Sequence, residues 1–176
     1  MISKKCVELS RIVSRYILIT LVSIFGFSIF ERLLTSPTIH ALVGLLKIFY
    51  NEIILEGAYI YVNGQGFEIT TTCVMGIIYW LLFILVFATA GLKVEKRFCV
   101  LAFAWLSVFI FNIMRMLFLV SIAQKPYFNG VHWLFENVIA IILVILVWTA
   151  TIRLFKIKTV PFYSDLKVLK QELRNS

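Results

Sequence analysis

Charge is scarce in this chain: Asp, Glu, Lys and Arg make up 15% of its 176 residues, against 61% hydrophobic ones. That is too little charge to clothe a water-soluble globule, in which about a quarter of the residues are charged. Acidic groups are the scarcer kind, nine against 17 basic. There are only two histidines, His40 and His132, and three cysteines, Cys6, Cys73 and Cys99. With neither an H-E-x-x-H nor a C-x-x-C pair, the close metal-ligand spacings are missing. The sequence also has no internal repeat and no low-complexity segment, and no cofactor motif is expected.

What the chain does have is long apolar runs. Four of them, 16–34, 73–92, 98–122 and 133–152, reach or approach the roughly 20 residues a helix needs to cross about 30 Å of hydrocarbon. They predict an all-α integral membrane protein with about four transmembrane helices in one bundle, forming a single membrane domain over 1–176. Basic residues mark the cytoplasmic side. Lys4, Lys5, Arg11 and Arg15 precede the first run. Lys93, Lys96 and Arg97 separate the second and third, and Arg153, Lys156, Lys158, Lys167, Lys170 and Arg174 follow the fourth. Both termini (1–15 and the tail 153–176) are then cytoplasmic, in a multi-pass protein of the cell membrane. Only Arg32, Lys47 and Lys125 fall outside, and Arg115 lies within a span. The net charge of +8 thereby has a task in setting topology and meeting anionic membrane lipid, so no nucleic-acid partner is expected. The first run resembles a signal peptide in its basic flank, but lacks a small-residue cleavage pattern and is expected to stay as an anchor.

The stretch 35–72 is the longest outside the apolar runs. Ser36-Pro37 has the form of a helix start, with Ser as N-cap and Pro at the first helical position. The segment 37–52 that follows reads as an outer-side interfacial or re-entrant helix, since it is short and contains Lys47. Residues 58–62 and 67–70 have strand composition around Asn63-Gly-Gln-Gly66, predicting a small β-hairpin. The hairpin leads to Thr70, Thr71 and Thr72, with Thr72 as N-cap of a helix opening at Cys73.

Three residues that carry chemistry fall on the outer side. Cys6 and Cys99 lie at the opposite face, too far from Cys73 for a disulfide, which needs Cα atoms within about 7 Å. Cys73 is therefore an unpaired thiol, and a disulfide oxidase, which needs outer cysteine pairs, is disfavoured. At a helix N-terminus the dipole would favour its thiolate; the bland alternative is a small apolar filler. Arg115 sits about 5–10 Å below the outer end of its span, a costly depth unless the guanidinium is paired, solvated or snorkelling. Asn112, three residues earlier, shares its helical face. His132 opens the fourth run, with Glu136 one turn on and able to orient the imidazole. A nucleophile, an oxyanion donor and a proton-transfer group are what acyl transfer requires.

Cysteine at the outer start of one helix, Asn112-Ile-Met-Arg115 in the next and His132 at the start of the one after resemble the exosortase/archaeosortase family of membrane transpeptidases. The resemblance covers about 68–147. It differs in Cys73-Val-Met-Gly76, one residue longer than the family's C-x-G, and in Glu136-Asn137 where glycine is often found. The chain is also shorter than many exosortases, so it would be a compact form. The resemblance implies that Cys73 is the nucleophile, Arg115 the arginine of the motif and His132 the proton-transfer residue, with Asn112 and Glu136 supporting them. Its implied substrate is a secreted protein with a C-terminal sorting signal made of a motif, a transmembrane helix and a basic cluster. The implied intermediate is a thioester on Cys73, from which the acyl group passes to a lipid or glycan acceptor. Two other classes of function compete. One is a non-catalytic membrane assembly subunit that uses Arg115 and Glu136 as pairing groups. The other is a metal site built from Cys73, His132 and His40.

Overall fold

The computed structural model describes residues 2–174, with side chains over 9–70 and 72–170. The readings of Lys4, Lys5, Cys6 and Arg174 concern side chains outside the described residues. The chain runs α1 (Ile2–Ile24), α2 (Ser28–Phe49), β1 (Ile53–Glu56), β2 (Tyr59–Val62), β3 (Gln65–Glu68), a 3₁₀ turn (Thr71–Val74), α3 (Gly76–Ala88) and α4 (Val94–Ser121). It continues with α5 (Phe128–Leu134), a π turn (Phe135–Ile139), α6 (Ala140–Leu154) and α7 (Tyr163–Arg174). The fold is mostly helical with one three-stranded antiparallel sheet.

Two helices are long and apolar enough to cross a membrane, Val94–Ser121 and the continuous helix Phe128–Leu154; the bent pair α1 and α2 could supply a third. Their outward faces carry uncovered apolar stripes at helical spacing. On α4 these are Leu106, Ile110 and Met114, and on α6 Ile141, Ile145 and Leu146. Such stripes suit lipid contact. The apolar run expected to cross as 16–34 is broken instead. Gly26, at φ +62°, takes the left-handed conformation that ends helices, and α2 leaves at 71° to α1.

The expected helix start at Ser36-Pro37 is also overturned, because Pro37 lies inside α2. Phe30, Thr38, Ile39, Leu42, Val43 and Leu46 bury one continuous stripe, and that packing outweighs the roughly 3 kcal/mol an interior proline costs. What reads as a span end plus a separate interfacial helix is thus one helix. The third expected span, 73–92, contracts to the 13 residues of α3. At 1.5 Å per residue it is about 20 Å long, and α2, α4 and α6 enclose it, leaving Leu82 and Val86 with no exposure.

The expected hairpin is present and gains a strand. Asn63 and Gly64 both have positive φ, 49° and 80°, so they form a two-residue turn that matches the strand twist. Gln65 and Gly66 therefore join β3, opposite Val62 and Tyr61. A second tight turn at Gly57 (φ +63°) brings β1 alongside β2. Ile60 and Val62 of β2 pack with Leu42 and Leu46 of α2 and with Ile113 and Met116 of α4. This cluster is separate from the bundle core of Tyr79, Leu82, Val86, Val100, Ala104, Val108 and Val147.

Candidate functional site

Between the two apolar clusters, α4 carries its polar residues. Asn112 is fully buried and Arg115 is 2% exposed, one turn beyond Val108 of the bundle core and flanked by Ile113 and Met116 of the sheet cluster. Nη2 of Arg115 donates to the backbone carbonyl of Cys73 at 2.8 Å. Nε and Nη1 of Arg115 and both amide atoms of Asn112 are buried with no partner in the protein. An orphaned buried donor costs on the order of 1–3 kcal/mol, more when charged. So many on adjacent turns mark a site kept polar against stability.

Cys73 does not open an α-helix. It lies in the 3₁₀ turn, and Met75 then takes a left-handed conformation (φ 61°, ψ 37°) before α3 begins at Gly76. The argument from the dipole at a helix start consequently loses its geometry, and Thr72 makes no capping bond to α3. The thiol has other company: Thr70 Oγ1 lies 3.3 Å from Cys73 Sγ and 2.8 Å from Thr72 Oγ1. The thiol is partly exposed, whereas Val74 and Met75 are buried. The left-handed Met75 costs about 1–2 kcal/mol. The tight entry has a visible cause, since α2 crosses the start of α3 at backbone distance. A Cβ on Gly76 would meet Glu31 Cγ and stand 3.1 Å from both the Glu31 nitrogen and the Phe27 carbonyl. Gly76 is thus needed for close helix approach.

His132 lies in α5, with its ring stacked on Phe128 at 5.7 Å between centroids and Nε2 3.5 Å from Glu136 Oε1. The expected His132–Glu136 pairing is present, about one-third exposed on both sides. Phe135 packs on Phe118 of α4 at 5.8 Å, tying this segment to the Arg115 helix. Among the described residues no hydrogen bond joins His132 to Cys73. The fold brings Cys73 and Arg115 together beside Asn112, and pairs His132 with Glu136 on the segment that Phe135 ties to α4.

No family model, curated protein or solved structure matches the chain.

Three features escaped the sequence reading. Thr70, read as a strand end, is the hydroxyl beside the thiol. Glu31 and Gly76 lock α2 against the turn that presents Cys73, although nothing in their spacing announces it. Phe135–Ile139 form a π turn, a device common at functional sites, and Asn137 Nδ2 donates to the Trp133 carbonyl at 2.9 Å where the ladder changes step. Among the described residues no three His, Cys, Asp or Glu side chains gather as metal ligands. His40 is exposed and donates from Nδ1 to the Ser36 carbonyl at 2.7 Å.

Proposed function

We propose that the chain is a compact, membrane-embedded cysteine transpeptidase or peptidase of the exosortase/archaeosortase kind, multi-pass in the cell membrane, with both termini cytoplasmic and its site on the outer face. The observation that carries this reading is the arginine. Arg115 is fixed by the carbonyl of the candidate nucleophile itself and has two further N–H edges, Nε and Nη1, buried and uncommitted. A guanidinium so held is a preorganised donor for charge that develops on a carbonyl oxygen beside Cys73.

The substrate is a secreted protein whose C-terminal signal combines a motif, a transmembrane helix and a basic cluster. Its helix docks against the bundle and presents a peptide bond at the outer boundary. Cys73 Sγ, its proton passed to His132, attacks the carbonyl carbon, and the oxyanion forms against Arg115, beside Asn112 one turn away. Collapse of the intermediate breaks the C–N bond, His132 delivers a proton to the departing amine, and a thioester remains on Cys73. An incoming lipid or glycan nucleophile gives its proton to His132, attacks the thioester and frees the thiol. Glu136 holds the imidazole throughout, and Thr70 orients the sulfur.

The test is covalent trapping, with wild type and the Cys73→Ala, Arg115→Ala and His132→Ala variants co-expressed with tail-signal proteins from the same genome. The expected result is a hydroxylamine-sensitive adduct and a processed product, both absent in Cys73→Ala. Processing that survives Cys73→Ala sinks the assignment. That outcome would favour the second reading, a non-catalytic assembly subunit. Its supporting observation is the absence of a hydrogen bond from His132 to Cys73, with Arg115 and Glu136 then serving as a charge pair within the membrane.

A further inference from the structure

At the end of the bundle opposite Cys73, α3 stops at Ala88 and arginines meet three of the carbonyls there. Arg97, 6% exposed, donates from Nη1 to the carbonyls of Val86 (2.6 Å) and Phe87 (2.8 Å) and from Nη2 to that of Thr89 (2.9 Å). Arg15 donates from Nη1 to the same Thr89 carbonyl at 3.1 Å and from Nη2 to Asp165 Oδ1 of α7 at 2.7 Å. The Tyr16 hydroxyl donates to Asp165 Oδ2 at 3.2 Å. Two guanidinium groups are thus immobilised side by side, and the one carboxylate present is committed to Arg15 and Tyr16.

These groups border a cleft of about 1120 Å³ between α1, the α3–α4 connection, the start of α4 and α7. Arg11, Arg15, Lys93 and Arg97 line it against the single acid Asp165, a surplus of three positive charges. Arg11 and Lys93 are exposed, and neither side chain bonds to another described residue. Apart from Ser14 and Ser164 the remaining wall is apolar, and its rim residues Leu18, Val94 and Phe98 are 39%, 69% and 58% exposed. On α1 the exposed Val13, Ile17 and Leu21 lie on another face, in a separate apolar groove with Tyr16 and Leu169.

We infer that this cleft binds an anionic phospholipid, its phosphate held by Arg11 and Lys93 with Arg15 and Arg97 behind them, and its acyl chains laid along the apolar rim. The charge surplus selects an anion. The exposed apolar rim selects one that carries hydrocarbon. Basic pockets between membrane helices are known hosts for such headgroups. The lipid would also bridge α1, α4 and α7, of which α1 and α7 are joined here by the bonds of Arg15 and Tyr16 to Asp165. The inference requires the apolar helices to lie in a bilayer and is independent of any chemistry at Cys73.

The experiment is native mass spectrometry of the full chain released from nanodiscs holding equal amounts of phosphatidylglycerol and phosphatidylcholine, with soluble glycerol phosphate as competitor. Retention of phosphatidylglycerol is expected to exceed that of phosphatidylcholine on the order of tenfold. The Arg11→Gln/Lys93→Gln variant should abolish this preference without lowering the midpoint of thermal unfolding. Arg11→Lys/Lys93→Arg should keep it, as should Lys156→Gln/Lys158→Gln, whose side chains do not line the cleft. Equal retention of the two lipids by wild type, or a preference that survives the double glutamine variant, overturns the inference. So does displacement by glycerol phosphate at concentrations comparable to the lipid, which would make this a site for soluble anions.

Discussion

Replacing Arg115 with methionine separates a functional guanidinium from a structural one. Arg115 makes one charge-assisted hydrogen bond, to the Cys73 carbonyl at 2.8 Å, and leaves Nε and Nη1 buried without a protein partner. The bond is worth about 1.5–3 kcal/mol, whereas each orphaned donor costs about 1–3 kcal/mol. Methionine fills a similar length and removes both orphaned donors but leaves the Cys73 carbonyl bare, so Arg115→Met should fall between a loss of about 1 and a gain of about 4 kcal/mol. Acyl transfer should nonetheless fall by about 10²–10³, the usual loss for one oxyanion donor. Thermal unfolding in detergent micelles reads the first quantity, and the rate of hydroxylamine-sensitive adduct formation per folded protein reads the second. Arg115→Lys should also lose activity, because a point charge cannot hold the Cys73 carbonyl and still present two further edges. The reasoning is refuted if Arg115→Met unfolds more than about 5 °C lower, roughly 2 kcal/mol for a chain of this size, while forming adduct at the wild-type rate. Arg115 would then be a strut for the 3₁₀ turn.

Three further outcomes are expected. Gly76→Ala should destabilise the fold by about 1–3 kcal/mol by pushing α2 off α3; adding Glu31→Ala should recover only part of the loss, because the backbone contacts at 3.1 Å remain, and unfolding midpoints of both variants check this. Arg97→Met should cost about 1–3 kcal/mol, since the Phe87 carbonyl loses its donor while Val86 keeps the Thr89 N–H and Thr89 keeps Arg15, and Arg97→Lys should rescue little of it, measured by the same unfolding. Asp165→Ala should unpair Arg15 and release α7, so that limited proteolysis cuts within 156–170 much faster than in wild type while α3 to α6 remain resistant.

Much of the architecture was legible because it rests on local chemistry. The apolar runs over 98–122 and 133–152 foretell α4 and the α5–α6 helix, since length and hydrophobicity are properties of a segment by itself. Asn63-Gly64 foretells its turn for the same reason. The segment 16–34 was misleading: Gly26 between two phenylalanines reads as a tolerated residue in a span, and only its packing context makes it a helix end. Pro37 misled in the opposite direction, because the burial of Leu42 and Leu46 against the sheet overrides its local signal. Strand β1 showed no alternation of its own and exists because β2 offers it an edge. Within the candidate site, the pairing of His132 with Glu136 follows from a four-residue spacing on one helix.

By itself, then, the sequence determined that the chain is built largely of apolar helices and that the runs 98–122 and 133–152 are long enough to cross a membrane, and it singled out Cys73, Arg115 and His132 as candidates for chemistry. Each of these follows from composition, length or short-range periodicity. Only the tertiary structure decided that Arg115 bonds the Cys73 carbonyl across 42 residues, that Thr70 flanks the thiol, and that Arg15 and Arg97 meet over the end of α3. It also decided that Cys73 sits in a 3₁₀ turn rather than at a helix start, because Gly76 admits the backbone of α2 where a side chain would otherwise stand. Contacts between distant segments depend on which faces pack against each other, and a one-dimensional pattern does not carry that information.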